Sequence, residues 1–326
     1  MGEERRMVVS KGLPFVKGHM GGNEIILLYG DEVPVGREIE VALQSLYPPH
    51  IRGHEAGLIY QSEEQNTVNV KIIGAISKGF ISMCGGLTQV LGKALIETDL
   101  LEDFGLQITE PMTTVILQTD AGPVKLKIET DGGKVKRVLS EMTPFVEECY
   151  QLGVQDIDVA GVSAMRIGKF LAADANAIQQ AYPKANFENI DATTLRVLQS
   201  MQGAFDRHGY QARPNADFAI YDLKPVNADH TGRVIFPHTM SEDYIEPACG
   251  TGTVAVGLSL IESGELEKLE KPEVTLDLTF ESGGSPLVIG GPDLTRLQLT
   301  VRDGKVVGAS FSHSLVEILA TGQLWV

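Results

Sequence analysis

Cysteine is scarce in this sequence: three residues in 326, none of them in C-x-x-C spacing. An odd, scattered set argues against a disulfide framework and against a cysteine-based metal site, and it points to reduced thiols. Aromatic residues make up only 6% of the chain, with a single tryptophan. Basic residues are also short, 27 Lys and Arg against 43 Asp and Glu, for a formal net charge of −16. With no basic stripe to neutralise phosphates, neither nucleic acid nor an anionic membrane surface is an expected partner. No apolar run approaches the roughly 20 residues of a membrane-crossing helix. The opening residues, Met1-Gly-Glu-Glu-Arg-Arg-Met, mix basic with acidic side chains and lack an apolar stretch behind them. They do not read as a secretory signal, and the expected location is cytoplasmic.

What the chain does have is a repeat. The 19 residues from Cys84 and the 19 from Cys249, 165 positions later, agree without a gap at nine positions. The shared residues are Cys84 and Cys249, Gly85 and Gly250, Thr88 and Thr253, Gly92 and Gly257, Leu95-Ile96-Glu97 and Leu260-Ile261-Glu262, and Leu101-Glu102 and Leu266-Glu267. Beyond them Pro111 answers Pro272, and Asp131-Gly-Gly-Lys-Val answers Asp303-Gly-Lys-Val. Two copies do not make a solenoid, which needs at least three stacked units; they make two similar lobes about a rough twofold axis.

With 43% hydrophobic residues and mean hydropathy near zero, the chain can build two sizeable cores. Residues 1–150 form the expected N-terminal lobe, with Cys84, and 151–326 the C-terminal lobe, with Cys249; the last strands are free to cross back. A strand is expected over 24–29, a helix over 37–46, and β-rich segments over 58–61 and 67–73. In the helix that starts at Cys84, the apolar positions Leu87, Val90, Leu91, Ala94 and Leu95 follow helical spacing, and Lys93 is the only charge before Glu97. Its partner from Cys249 has no charge until Glu262. Helices apolar on nearly all sides must be wrapped by other elements. The expected class is therefore α+β: two lobes, each a curved, mostly antiparallel sheet or barrel around one buried helix, with the active site between them. Helical patterns over 165–181 and 192–209 and strands over 218–223 and 233–236 complete the second lobe.

Removing the α-proton of an amino acid places charge next to a carboxylate, so a site without pyridoxal needs positive potential of its own. Helix N-termini supply it through unpaired backbone N–H groups, each terminus worth roughly half a positive charge. The same field lowers a cysteine pKa from about 8.5 toward neutrality, which suits a thiol to act as a base. If the lobes face each other, one thiolate takes the proton from the α-carbon and the other thiol returns one to the opposite face. Cys84 and Cys249 are the candidates. Cys149 reads as a small buried hydrophobe, and no cofactor or metal is implied.

At Met83-Cys84-Gly85-Gly86 and Pro247-Ala248-Cys249-Gly250-Thr251-Gly252-Thr253 the chain resembles the proline racemase and diaminopimelate epimerase superfamily of cofactor-independent, two-cysteine racemases. Arg52-Gly-His54 and the runs from Val115 and Met142 are similar to the proline racemase branch, whereas Lys17-Gly-His-Met-Gly-Gly-Asn23 looks more like the epimerase branch. The resemblance implies the two-lobed fold, Cys84 and Cys249 as the acid–base pair, and the backbone at Gly85, Gly86, Gly250 and Thr251 as the carboxylate cradle. By position it also brings Asn23, His54 and His238 into the substrate set. Gly86 stands where proline racemases carry His, and Ile245 stands where they carry the Asp that holds the ring nitrogen, so the nearby acids Asp243 and Glu246 are the candidates to hold an ammonium group. The function implied is an amino acid racemase or 2-epimerase acting on a neutral or cationic substrate. Three other readings stay open: a double-bond isomerase of an unsaturated acid, a hydroxyproline dehydratase, and a binding protein without turnover. The dehydratases of the family have Thr in place of Cys249. The expected partner is a small amino acid, and a homodimer is left open.

Overall fold

Two helices, Gly85–Glu97 and Gly250–Glu262, are wrapped by two halves of one continuous sheet, which the chain builds in the same order. In this computed structural model the described residues are 12–188, 190–207, 217–225, 227–237, 245–246, 248–266, 272–282 and 293–325. Each lobe starts with a hairpin, Leu13–Met20 with Asn23–Tyr29 in the first and Val162–Ile167 with Phe170–Asp174 in the second. The chain then crosses through helix to a parallel neighbour: Glu55–Gln61 beside Asn23–Tyr29, and Asp217–Asp222 beside Phe170–Asp174. An antiparallel strand follows in each, Thr67–Gly74 and Gly232–Pro237. From there the chain passes through the central helix and returns in parallel as Met112–Thr119 and Glu273–Ser282.

A meander ends both lobes: Met112–Thr119, Gly122–Asp131 and Lys134–Glu141 in one, Glu273–Ser282, Leu294–Arg302 and Lys305–His313 in the other. The likeness extends to single hydrogen bonds, since the carbonyl of Pro111 accepts from Thr130 N–H and that of Pro272 from Asp303 N–H, both at 2.9 Å. Each last hairpin also carries one register shift, between Glu129 and Thr130 and between Thr300 and Val301. The strand Val316–Leu324 crosses back to pair antiparallel with Leu13–Met20.

Residues 165–181 do not form the expected helix. They continue a β-hairpin that turns at Gly168 (φ +59°) and become helical only over Ala175–Ala181. The run Phe170-Leu-Ala-Ala is a strand buried on both faces, so it lacks the alternation of a half-buried strand, and its alanines read on into the helix that follows. The remaining elements follow expectation, with strands at Asn23–Tyr29, Glu55–Gln61, Thr67–Gly74, Asp217–Asp222 and Gly232–Pro237 and helices at Glu38–Leu46 and Ala192–Arg207.

In the second central helix every residue from Gly250 to Leu260 is buried. Glycines at 250, 252 and 257 weaken its intrinsic propensity, but each buried Val or Leu contributes about 2 kcal/mol on leaving water, so packing decides the conformation. Gly257 is needed there because a Cβ would meet Leu297 Cδ2 at 2.5 Å and Leu299 Cδ1 at 3.0 Å. One apolar core includes both helices and runs through Phe311, which lies where their N-termini meet. Among the described residues no helix is long and apolar enough to cross a membrane.

Candidate active site

Cys84 and Cys249 are the N-cap residues of the two central helices, both with extended backbone, and each sulfur accepts from the N–H three residues on. The distances are 3.4 Å from Leu87 N to Cys84 Sγ and 3.3 Å from Gly252 N to Cys249 Sγ; Thr251 Oγ1 also lies 3.4 Å from Cys249 Sγ. The helix starts abut. A Cβ added at Gly85 would sit 2.7 Å from Gly250 Cα, and one added at Gly250 would sit 2.9 Å from Gly85 Cα. Only glycine at both positions lets two helix ends approach this closely, and the approach brings the thiols within electrostatic reach of each other. Cys84 is 7% exposed and Cys249 9%.

Asn23, which is buried, ties the lobes together. Its Nδ2 donates to Glu246 Oε1 at 2.8 Å and to the carbonyl of Ala248 at 3.3 Å, and it lies 3.4 Å from where a Cβ on Gly86 would be. His54 stands behind it: Nδ1 accepts from Glu24 N–H at 3.0 Å and lies 3.2 Å from Asn23 Oδ1. That bond assigns the ring proton to Nε2, so Nδ1 has none to donate to Asn23 Oδ1 and the two groups are neighbours without a hydrogen bond between them. Thus Asn23, Gly85, Gly86, Glu246, Gly250 and Thr251 gather around the two cysteines, with His54 one layer back. Asp243 and His238 lie outside the described residues.

Sequence reasoning missed two residues of this cluster. Glu55 begins the strand Glu55–Gln61, and Gly57, on the same face, packs so closely on the first helix that a Cβ would meet Leu87 Cδ1 at 2.5 Å. Glu55 therefore points toward the helix start, and its Oε2 is shut off from water with no hydrogen-bond partner. The second is Lys169, in the hairpin turn after Gly168. Its ammonium lies 3.5 Å from Asp217 Oδ2 and 5.5 Å from the Phe170 ring centroid, and it also feels Cys249 and Glu148. Burial opposes its charge, but these anions together raise its pKa and keep it protonated. The visible signal for Glu55 was its place directly after Arg52-Gly-His54; for Lys169 there was none.

The electrostatics overturn one expectation. Both thiols are pushed well above the ordinary cysteine range, Cys84 by burial and then by Glu55, and Cys249 by burial and then by Glu246. The backbone N–H bonds at Leu87 and Gly252 pull the other way and lose, because desolvation and nearby carboxylates both disfavour a thiolate. Glu55 is itself pushed well above the usual carboxylate range, by burial first and then by Glu246, which favours its protonated form.

No protein-family model matches the sequence, and no curated protein matches it. Solved structures do. A hydroxyproline epimerase from Agrobacterium vitis with bound trans-4-hydroxy-L-proline superposes with a TM-score of 0.65 at 17% identity, over 96% of this chain and 92% of that one. A probable proline racemase from Agrobacterium radiobacter K84 with bound carbonate gives 0.63 at 16% identity, over 96% and 92%. The chain has the proline racemase-like fold. A methylitaconate-delta-isomerase has the same proline racemase-like architecture, with a TM-score of 0.60 at 15% identity over 96% of this chain and 95% of that one.

Proposed function

We propose that this protein is a cofactor-independent isomerase that inverts the α-carbon of a small, neutral or cationic amino acid, with Cys84 and Cys249 exchanging the roles of base and acid. One observation carries the reading: two helix N-termini, each capped by a cysteine, abut at Gly85 and Gly250. A substrate carboxylate placed at that junction faces the first backbone N–H groups of both helices, at Gly85, Gly86, Gly250 and Thr251. They stabilise the charge that grows on it as the α-proton leaves. The thiolate on one side takes that proton and becomes a thiol, and the electron pair it leaves delocalises into the carboxylate. The thiol on the other side then gives its proton to the opposite face and becomes the thiolate. The next turnover runs in reverse from the product. A cytoplasmic setting, the absence of any nucleic acid or membrane partner, and a homodimer belong to the same reading.

The test is exchange of the α-hydrogen in deuterated water, read by NMR with chiral chromatography, over a panel that starts with trans-4-hydroxy-L-proline and L-proline. At least one member should exchange and invert. Cys84→Ser and Cys249→Ser should each abolish inversion, a loss of about a thousandfold or more from removing one member of a two-base pair. A panel in which nothing exchanges sinks the reading. A second reading, movement of a double bond in an unsaturated acid by the same proton transfer, is favoured by Gly86 and Ile245, which replace the His and Asp of the proline racemase branch. Its mark is a shifted alkene in a substrate without an amine.

A further inference from the structure

Three features of the cluster have no role in the proton transfer just described: a carboxyl oxygen of Glu55 without a partner, the carboxylate of Glu246, and the amide of Asn23 that reaches across to it. Glu55 belongs to the first lobe and Glu246 to the second, yet they are close enough for each to act on the Cys84 thiol and for Glu246 to act on Glu55. A buried carboxyl oxygen that accepts nothing costs about 1–3 kcal/mol in stability, more if it is charged. Such a group is retained where something else satisfies it.

We infer that Glu55 and Glu246, bridged by Asn23, form the seat for the substrate's ammonium group beside the two cysteines, with the Glu55 oxygen that no described residue satisfies as a principal acceptor. The inference deepens the amino-acid reading above and depends on it for the cation. The geometry suits the chemistry. Cys84 and Cys249 flank the carboxylate end of an amino acid, and its α-ammonium lies only two bonds from the carboxylate carbon, so the amine must settle against whatever borders the cysteines. What borders them is acidic on the Asn23 side. The carboxyl group turns freely about its last bond, so either oxygen can face the amine while the stem, which still borders solvent, stays in place.

The charged groups around Glu55 fix what binding does to protons. Glu246 and Asp217 disfavour its ionisation, Lys169 and the Asn23 amide favour it, Cys84 faces it from the helix start, and Glu148 and Cys249 lie beyond Lys169. Lys169 is paired with Asp217 at 3.5 Å and reaches Glu55 through its charge. Burial and Glu246 favour the protonated form of Glu55, and a seated ammonium favours the ionised one: as the amine binds, the O–H bond breaks, the proton goes to solvent, and the carboxylate keeps the electron pair. The bound cation also offsets the negative field of Glu55 and Glu246 on the thiols. A thiolate forms more readily once an amine is seated, which makes the amine a condition for the chemistry as well as for binding.

Isothermal titration calorimetry at neutral pH, in two buffers of different ionisation enthalpy, tests this on the full-length protein. The cationic probes are trans-4-hydroxy-L-proline, L-proline and L-lysine; cyclopentanecarboxylate, which has the shape of proline without its nitrogen, is the control. The best cationic probe should bind with release of about one proton and at least about tenfold more tightly than the control, as expected for a charge-assisted contact. Glu55→Gln should lose about tenfold in affinity for that probe and all of the proton release, with the control unchanged, while Glu55→Asp should keep the release. Equal binding of the probe by Glu55→Gln, binding without proton release, or binding of no cationic probe overturns the inference. Calorimetry reads binding and hydrogen exchange reads chemistry. An ammonium seat without exchange would thus fail the reaction alone, and exchange unaffected by Glu55→Gln would fail the seat alone.

Discussion

The helix Gly85–Glu97 carries a buried polar chain that Gly250–Glu262 does not have. Thr88 Oγ1 and Ser140 Oγ lie 2.7 Å apart, Gln89 Nε2 donates to the same Ser140 oxygen at 2.7 Å, and Gln89 Oε1 accepts from His313 N–H at 3.2 Å. In the second helix the position of Gln89 is held by Val254, and Thr253 bonds only within its own turn, to the carbonyl of Cys249 at 2.8 Å. The first helix is thus fixed by hydrogen bonds to two strands, to Ser140 in Lys134–Glu141 of its own lobe and to His313 in Lys305–His313 of the other. Near its start the second is held by shape, with Gly252 against Phe236 and Gly257 against Leu297 and Leu299, and its hydrogen bonds to other elements come at the far end, where Tyr150 donates to Glu262. A duplicated element can keep its function-bearing start while its anchoring diverges, because the two starts are packed against each other and the flanks meet different neighbours.

The shared start is the place where breaking the symmetry should cost most. Gly250→Ala would put a methyl 2.5 Å from Phe311 Cζ and 2.9 Å from Gly85 Cα. It should destabilise the protein by about 3 kcal/mol in denaturant unfolding and remove α-hydrogen exchange. Gly86→Ala, whose methyl would lie 3.4 Å from Asn23 Nδ2, should stay within about 1 kcal/mol. Equal costs at the two glycines would show that the helix ends do not meet as described.

The polar anchor should show itself through pH. His313, tied to Gln89 by its backbone, is held neutral by burial, with its pKa pushed down from 6.5 to about 4. In the unfolded chain the imidazole takes up a proton as pH falls through 6.5; in the folded protein it does so only near 4. Its contribution is therefore complete above pH 6.5 and is lost as pH falls to about 4, a total of about 3 kcal/mol. Urea midpoints measured across that window should fall on acidification, and His313→Gln should flatten the slope; an unchanged slope removes His313 as its source.

The smallest effect lies between the thiols themselves. Cys84 faces both Glu55 and Glu246, whereas Cys249 faces Glu246, receives a hydrogen bond from Thr251 and lies near Lys169. Thiolate absorbance in Cys84→Ser and Cys249→Ser, each in a Cys149→Ala background, should show Cys249 titrating below Cys84. Coincident titrations would mean that the two halves are electrostatically equivalent.

The sequence made the two central helices legible because an apolar surface all round a cysteine-headed helix has one structural solution, and repeating it fixed the lobes. The hairpin over Val162–Asp174 was hidden, since a strand buried on both faces and flanked by alanines carries the composition of a helix. Within the site, the cysteines and their glycines could be found by spacing, and Asn23 and His54 by resemblance. Glu55 was passed over despite its place directly after Arg52-Gly-His54, because a glutamate at the head of a strand reads as a solvated end until the rest of the chain closes over it. The basicity of the thiols was misjudged for the same reason: helix position is local, and the carboxylates that oppose it come from distant parts of the chain.

The pairing of Val316–Leu324 with Leu13–Met20 has a consequence for synthesis. The strand that flanks Leu13–Met20 is synthesised only after the whole of the second half of the sheet has been made. Until then the helix headed by Cys84 has an unfinished coat, and its oily flank is open to chaperones and to other nascent chains. The two halves mature together, and the earlier one waits for the later.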